Sequence, residues 1–378
     1  MILTLLSNVR VVDVSQYYPG PLAAQILSDL GASVIKVEPP AGDPMRRFGI
    51  CDGDGWTADY KLINSGKVVV RLDMKTEAGR EAVARLIAKA DVLIESFRPG
   101  TLERLGFDRA RLESLNPGLV HVAISGWGQE GPYRLRAGHD LTYVALGGGL
   151  IGSGTAEAPV ATCPPMGDHA GAQQAALAAL AGLFARSRSG KGGYFDVSLM
   201  ETVLGWQSIP LTLAARGRLA PRGQGMITGG SACYRLYRTA EGRFVALAAL
   251  EPKFWETFCR AVDRCDWLDR QDEPMPQRAL IDELTALFAS RPVEHWLELL
   301  GAVDCCFEAV EPFETLPDHP QVAARGQIVR HPGPEPLVEA LLGLRVDGAP
   351  PPRRTPLVEI DEAAALAHWS EGASSSRC

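Results

Sequence analysis

Short runs of β-branched residues alternate with helical stretches in the first third of the chain, and this alternation constrains the fold most strongly. Val9 to Val14 and Ser33 to Glu38 are typical of buried parallel strands, and Leu22 to Leu30 between them has helical periodicity. Further strand-like runs cover 68–72, 92–96 and 119–125. Strands that alternate with helices form a doubly wound sheet, which binds ligands beyond the carboxyl ends of its strands. The pattern therefore predicts a Rossmann-like α/β domain.

The second half of the chain has a different pattern. Two short strands are expected between Ala232 and Leu250, followed by helices without further alternation, which predicts a smaller α+β domain. A stretch rich in Gly, Arg and Pro before it is typical of a linker. The expected division is a large domain over 1–210, a linker over 211–230, a small domain over 231–325, and a return segment over 326–378 that completes the large domain.

Composition excludes several classes of partner and site. The formal net charge of -7 argues against binding to nucleic acid or to a membrane surface, and no run of about eighteen apolar residues is present. The eight cysteines form no CxxC pair and no Cys/His metal spacing, so we expect free thiols, no metal site and a reducing cytoplasm. The turn after the first strand lacks G-x-G-x-x-G, which argues against a dinucleotide site.

Two acid/base candidates lie in one glycine-rich stretch, Arg136 to Leu183. His139 precedes a short helical run that ends at a triple glycine, and Asp168 precedes a long Ala-rich helix. Each has an ordinary interpretation: Asp168 as a helix cap and His139 as a structural histidine. Together they suit two-base chemistry at a carbon acid, because the N-terminus of a helix can also stabilise a developing oxyanion.

Basic residues collect in or near the loops that follow the predicted strands. In these positions they could line a solvated surface or hold phosphate groups. The residues are Arg46, Arg47, Lys67, Lys75, Arg98 and Arg104.

Short motifs recur in a characteristic order and spacing over nearly the full length of the chain. These are Gly20-Pro21, Gly31 to Glu38, Asn64-Ser65-Gly66-Lys67, Leu72 to Lys75, Phe97-Arg98-Pro99-Gly100, Asn116-Pro117, Gly131-Pro132-Tyr133 and Gly167-Asp168. In these motifs the chain resembles the class III coenzyme A-transferase (CaiB/BaiF) superfamily, which also contains the α-methylacyl-CoA racemases.

The resemblance implies an interlocked homodimer, in which each subunit has a large Rossmann-like domain and a small domain. It implies an acyl-CoA thioester as substrate, with coenzyme A as the carrier of the acyl group and no separate cofactor. The residues expected to bind coenzyme A are Arg46, Leu72, Met74, Lys75, Phe97, Arg98 and Arg104.

The superfamily has two chemistries, and both can use Asp168. In the transferases the matching Asp attacks the thioester carbonyl and then carries coenzyme A as an aspartyl thioester. In the racemases the matching Asp and a His move a proton off and onto the α-carbon through an enolate. The family His lies in a Gly-His-Asp segment, here Gly138-His139-Asp140, and a family Glu matches Glu251. The resemblance thus implies His139, Asp168 and Glu251 as the catalytic set.

Departures from the family patterns bear on this choice. Racemases tend to have a Phe and a glycine run after the Asp, whereas His169-Ala170-Gly171-Ala172 follows Asp168 here. On the transferase side, Tyr18 occupies a position usually filled by Gln, and Pro39 replaces an Arg found in some members. A transferase does not require His139, whereas racemisation needs two groups on opposite faces of the α-carbon. The favoured function is therefore an acyl-CoA racemase acting on a 2-methyl-branched acyl-CoA, with CoA transfer as the alternative.

Overall fold

The computed structural model describes residues 4–350 and 352–369. The described residues divide into two compact units. The first comprises those within 1–147, 163–205 and 319–378, and the second those within 148–162 and 206–318. Within the described residues, no helix is both long enough and apolar enough to cross a membrane.

Strands and helices follow the chain in this order. The strands are β1 Arg10–Asp13, β2 Ser33–Glu38, β3 Val68–Arg71, β4 Val92–Glu95, β5 Val120–Ser125, β6 Gly193–Ser198, β7 Tyr234–Arg238, β8 Phe244–Ala248, β9 Phe307–Ala309, β10 Ile328–His331, β11 Leu337–Ala340 and β12 Val358–Ile360. The helices are α1 Pro19–Asp29, α2 Ala58–Asn64, α3 Glu77–Ile87, α4 Thr101–Arg104, α5 Arg109–Leu115, α6 Asp140–Leu146, α7 Met166–Ser189, α8 Leu199–Gly205, α9 Ser208–Ala215, α10 Pro252–Ala261, α11 Arg278–Ala289, α12 Val293–Leu300, α13 Pro320–Arg325 and α14 Glu362–His368.

The first unit is built on a parallel sheet. Among the described residues it has seven strands in the order β12-β3-β2-β1-β4-β5-β6. One apolar layer packs α1 and α7 against one face, and a second packs α3, α5 and α14 against the other. The expected doubly wound α/β fold is confirmed. The strand order reverses between β1 and β4, and ligands of such sheets bind beyond the carboxyl ends of the strands at this reversal.

A buried ionic cluster joins the carboxyl end of β1, the interior of β2 and the residue that precedes β3. The Lys67 ammonium lies 3.2 Å from Asp13 Oδ2 and donates to the Pro21 carbonyl at 2.7 Å. The Lys36 ammonium lies 3.0 Å from Asp43 Oδ2, and all four of these charged side chains are buried. Lys67, in the Asn-Ser-Gly-Lys motif, therefore holds the sheet together from the interior, away from the exposed loops.

The second unit has its own core. Strands β7, β8 and β9 form an antiparallel sheet, and the helices α10, α11 and α12 pack their apolar sides against it around Trp255, Phe258 and Phe288. The structure differs from the expected linker at its beginning, because α9 continues to Ala215. Leu211, Leu213, Ala214 and Ala215 are good helix formers that precede the Gly/Arg/Pro-rich part, and they explain this difference.

Residues 148–162 also group with the second unit, where Arg222 Nε donates to the Thr155 carbonyl at 2.8 Å. The sequence predicts this segment within the large domain, so the structure differs from the prediction here. Each of the seven cysteines in the described part of the chain is free, and Cys378 lies outside the described residues.

Candidate active site

The starts of two helices meet at the candidate site. His139 is the residue before α6, and Asp140 is the first residue of that helix. The backbone N–H of Asp168, in the first turn of α7, donates to Asp140 Oδ1 at 2.9 Å. This bond joins the two helix starts, so the chain positions of His139 and Asp168, distant in sequence, lie at the same two helix ends, and their shared catalytic role stays a prediction.

Asp168 lies within the first turn of its helix. The helix α7 begins at Met166 after Pro165, so Asp168 is its third residue and does not occupy the capping position that its sequence context allowed. At the start of α6 the hydroxyl of Thr142 accepts from the His139 N–H at 3.1 Å and donates to the His139 carbonyl at 2.7 Å. The backbone of His139 is thereby fixed while its side chain remains exposed.

The electrostatic environment changes the protonation of Asp168. Burial, followed by the negative charge of Asp140, raises the pKa of Asp168 to about 7. A carboxyl group with such a pKa can both accept and donate a proton near neutral pH, which is the property required of an acid/base catalyst.

Tyr143 is a neighbour of this site that the sequence did not single out. Burial and the charge of Asp168 raise the pKa of the Tyr143 hydroxyl to about 12. A Cβ at Gly126 would lie 2.2 Å from the Tyr143 ring and one at Gly138 would lie 2.5 Å from it, so both glycines provide space for the ring. The helical spacing of Asp140 and Tyr143 was the available sequence signal.

His169 and Tyr18 form a second polar pair beside Asp168. His169 Nε2 lies 3.3 Å from the Tyr18 hydroxyl, and His169 Nδ1 lies 2.8 Å from the Pro165 carbonyl. The carbonyl can only accept, so Nδ1 donates, and Nε2 of neutral His169 accepts from Tyr18. Burial and the charges of Asp59 and Asp168 raise the pKa of Tyr18. The residue that replaces the racemase Phe therefore brings a polar contact to the site.

Most residues expected to bind coenzyme A follow β3 and β4 at the carboxyl edge of the sheet. Leu72 is buried and Met74 half-buried in the loop after β3, whereas Lys75 is exposed there. Phe97 and Arg98 follow β4, where the Phe97 N–H donates to Glu95 Oε2 at 2.7 Å. Strands β3 and β4 are separated by two others, so the two loops are about 14 Å apart at ordinary strand spacing.

The other two basic candidates differ from each other in exposure. Arg104 is exposed on α4, where it donates to the Thr101 hydroxyl at 2.8 Å. Arg46 is buried, bonded to Glu38 Oε2 at 2.7 Å, and its guanidinium lies over the Trp56 ring at 4.5 Å. The sequence does not distinguish these environments, and CoA binding by either residue stays a prediction.

Glu251 lies in the second unit. It is the exposed residue before α10, directly after the loop that follows β8. Its proposed catalytic role stays a prediction.

Comparisons with known proteins identify the family. A family model described as CoA-transferase family III matches residues 6–361. An alpha-methylacyl-CoA racemase of Homo sapiens is 33% identical over 336 residues, covering 86% of this chain and 82% of the relative. A succinyl-CoA–D-citramalate CoA-transferase of Chloroflexus aurantiacus is 38% identical over 247 residues, covering 65% of this chain and 61% of that protein.

The fold agrees with solved structures. A CAIB/BAIF family protein from Brucella suis is 28% identical and superposes with a TM-score of 0.81, covering 97% of this chain and 98% of that chain. The sequence comparison and the structural comparison indicate the same family. The chain belongs to CoA-transferase family III, an enzyme superfamily that includes both racemases and CoA-transferases.

Proposed function

We propose that this protein is an acyl-CoA racemase that inverts the α-carbon of a 2-methyl-branched acyl-CoA. The observation that carries this proposal is the hydrogen bond between the Asp168 N–H and Asp140 Oδ1, which places His139 and Asp168 at two joined helix starts. The similarity to a racemase over 86% of this chain supports the same function. The substrate enters as its coenzyme A thioester, and the proton transfer uses only side chains of the protein.

In the proposed mechanism His139 and Asp168 act on opposite faces of the α-carbon. In one direction neutral His139 accepts the α-proton, an enolate forms, and protonated Asp168 donates a proton to the other face. In the reverse direction the Asp168 carboxylate accepts and the His139 imidazolium donates. Each inversion leaves the two groups with exchanged protonation states, and proton exchange with solvent resets them. The raised pKa of Asp168 supports this role, because both of its forms are populated near neutral pH.

The enolate oxygen needs stabilisation during the transfer. In the first turns of α6 and α7, the Asp168 N–H already donates to Asp140 Oδ1 and the Thr142 N–H to the His139 carbonyl. The N–H groups that precede them, those of Asp140, Leu141 and Gly167, lack acceptors within their own helices, and the helix dipoles add partial positive charge. Such groups are suited to a developing oxyanion. We therefore place the thioester carbonyl at the helix starts.

The test is α-proton exchange in deuterated water. The purified protein is incubated with each enantiomer of a 2-methylacyl-CoA without an acceptor acid, and deuterium at the α-carbon is measured by mass spectrometry. We expect exchange with the native protein and a loss of at least about 100-fold in His139→Ala, since a positioned acid/base contributes about that much or more. His295→Ala is the matched control, because His295 is an exposed histidine on α12. Unchanged exchange in His139→Ala would show that the assignment is wrong.

The second candidate function is CoA transfer. The 38% identity to a CoA-transferase supports it, as does the position of Asp168 at a helix N-terminus. Here the Asp168 carboxylate attacks the thioester carbonyl, the CoA thiolate leaves, and a mixed anhydride forms. The thiolate then attacks the aspartyl carbonyl and releases the acid, which leaves an aspartyl-CoA thioester. Hydroxylamine trapping at Asp168 together with absent α-exchange would favour this function over racemisation.

A further inference from the structure

The pair formed by Tyr18 and His169 lies where a doubly wound sheet binds its ligands. Tyr18 is the half-buried residue before α1, in the loop that follows β1, and the strand order reverses at β1. His169 is the fourth residue of α7 and directly follows Asp168. The mechanism above uses Asp168 and leaves this pair without a role.

The hydrogen bonds of the pair determine what it offers to a substrate. His169 Nδ1 donates to the Pro165 carbonyl at 2.8 Å, so Nε2 of the neutral ring can only accept. The Tyr18 hydroxyl, 3.3 Å from Nε2, therefore donates its one proton to that nitrogen. Its oxygen keeps its lone pairs and has no second proton to give, so the pair presents a hydrogen-bond acceptor to the site.

Two acidic side chains act on the same oxygen. Burial, followed by the charges of Asp59 and Asp168, raises the pKa of Tyr18, so its hydroxyl stays protonated at neutral pH. Negative charge at this position repels a carboxylate and attracts the positive end of an O–H dipole. An ammonium group would be attracted too, but it would lower the pKa of Asp168 and deplete the protonated form that racemisation needs. The donor that fits is therefore an uncharged hydroxyl.

An acyl group without a donor leaves this acceptor without a partner. When the substrate binds, it displaces water from the Tyr18 oxygen, and an acceptor that loses water without gaining a donor costs free energy. A site that contains such a group discriminates against substrates that lack the matching polar group. The pair therefore favours one class of acyl group over another.

We propose that the substrate is a 3-hydroxy-2-methylacyl-CoA, whose hydroxyl group donates a hydrogen bond to the Tyr18 oxygen. Because His169 directly follows Asp168, the acceptor lies beside the group that acts on the α-carbon. Carbon 3 is the nearest position for a hydroxyl that leaves the methyl group and the α-proton in place. The proposal rests on the proposed function, which places the acyl group at Asp168. Tyr18 and His169 determine specificity, and neither moves a proton of the reaction.

The test compares three thioesters that differ only at carbon 3, namely 2-methylbutanoyl-CoA, 3-hydroxy-2-methylbutanoyl-CoA and 2-methyl-3-oxobutanoyl-CoA. Binding of each to the full-length protein is measured by isothermal titration calorimetry at pH 8, above the range in which an ordinary histidine titrates. We expect the hydroxy compound to bind about fivefold more tightly than the unsubstituted one, as one net hydrogen bond provides. The oxo compound has only an acceptor at carbon 3 and should bind no more tightly than the unsubstituted one.

Two substitutions separate the acceptor from its cause. In Tyr18→Phe the preference for the hydroxy compound should disappear. In His169→Phe the Tyr18 hydroxyl loses its histidine acceptor and can donate to the substrate, so the oxo compound should gain about fivefold relative to the unsubstituted one. A purely structural role of the pair would weaken the binding of all three thioesters alike.

Tyr17→Phe is the matched control, because it removes a hydroxyl from the exposed neighbour of Tyr18 and should leave the three affinities in the same ratios. Binding is measured without turnover, so its result is separate from that of the α-exchange test. Equal affinities for the hydroxy and unsubstituted compounds, or a preference that persists in Tyr18→Phe, would overturn the proposal even where exchange is normal. A hydroxyl preference that Tyr18→Phe abolishes, together with absent exchange, would support recognition of the hydroxyl and overturn racemisation.

Discussion

Asp168 shows at the scale of one residue how a functional group is held at the expense of stability. Its pKa rises from 3.8 to about 7 in the folded protein, mainly because the side chain is buried. Between these values the folded state binds a proton that the unfolded state does not, so stability is lost as the pH rises through this window. Active-site groups often carry such a cost.

The variant Asp168→Asn should therefore be inactive and more stable at alkaline pH. We expect its unfolding free energy at pH 8 to exceed that of the native protein by about 1–2 kcal/mol, after allowance for solvent around this half-buried group. Thermal unfolding at pH 8 and at pH 4 measures the effect, and the two proteins should have similar melting temperatures at the lower pH. A lower melting temperature of the variant at pH 8 would contradict the assigned environment.

At the scale of elements, Asp140 connects α6 to α7 and also adjusts the chemistry of Asp168. Its carboxylate accepts a hydrogen bond from the Asp168 N–H, and its negative charge is the second cause of the raised pKa of Asp168. These two contributions can be separated, because an asparagine retains the acceptor oxygen and removes the charge.

The variant Asp140→Asn should shift the pH dependence of α-proton exchange. Loss of the negative charge lowers the pKa of Asp168, so the midpoint assigned to Asp168 should move from about 7 to lower pH. The direction of reaction that needs protonated Asp168 should then slow at neutral pH. In Asp140→Ala the hydrogen bond is lost too, and exchange should fall by a further 10- to 100-fold through misplacement. Profiles of exchange rate against pH for both enantiomers give the comparison, and an unshifted midpoint in Asp140→Asn would argue against the coupling.

At the scale of the whole molecule, the chain returns to the first unit after completing the second. Strand β12 pairs with β3 at the edge of the parallel sheet. Arg354 fixes this return through two bonds to the Asp29 carboxylate, of 2.7 and 2.6 Å, and one of 2.8 Å to Glu339. Asp29 is the last residue of α1, so this pair joins the beginning of the fold to its end.

The variant Arg354→Ala should destabilise the first unit strongly. Removing one partner of a buried pair leaves the other charge without compensation, and we expect a loss of about 3 kcal/mol. Urea unfolding measures this loss, with Arg353→Ala as control, because Arg353 is the exposed neighbour in sequence. An equal effect of the two substitutions would mean that the Asp29 pair contributes little.

The interlocked homodimer remains a prediction from the family resemblance. Exposed apolar side chains on α7 and α8 of the first unit, among them Leu177, Phe184 and Leu204, are typical of a surface that a partner covers. Light scattering of the purified protein measures its mass directly.

Much of the first unit follows from local sequence. The five strands expected from β-branched runs lie within one residue of their predicted bounds, from β1 at Arg10–Asp13 to β5 at Val120–Ser125. The periodicity of a strand and the glycine that ends a helix act over a few neighbouring residues. The local sequence pattern is therefore enough to predict where these strands and helices begin and end. The order of the short motifs is likewise a property of the sequence alone, and the family that it indicates is confirmed.

Tertiary structure alone decided which polar groups meet and which become buried. The Asp140–Asp168 bond joins residues 28 positions apart. The burial of Lys67 and Arg46, and the contact between Tyr18 and His169, depend on strands and helices that arrive from other parts of the chain. The sequence does not distinguish a lysine in a solvated loop from a lysine in a buried ionic cluster. Their desolvation and their charge partners depend on long-range packing, and these two quantities determine whether each one binds a substrate or stabilises the fold.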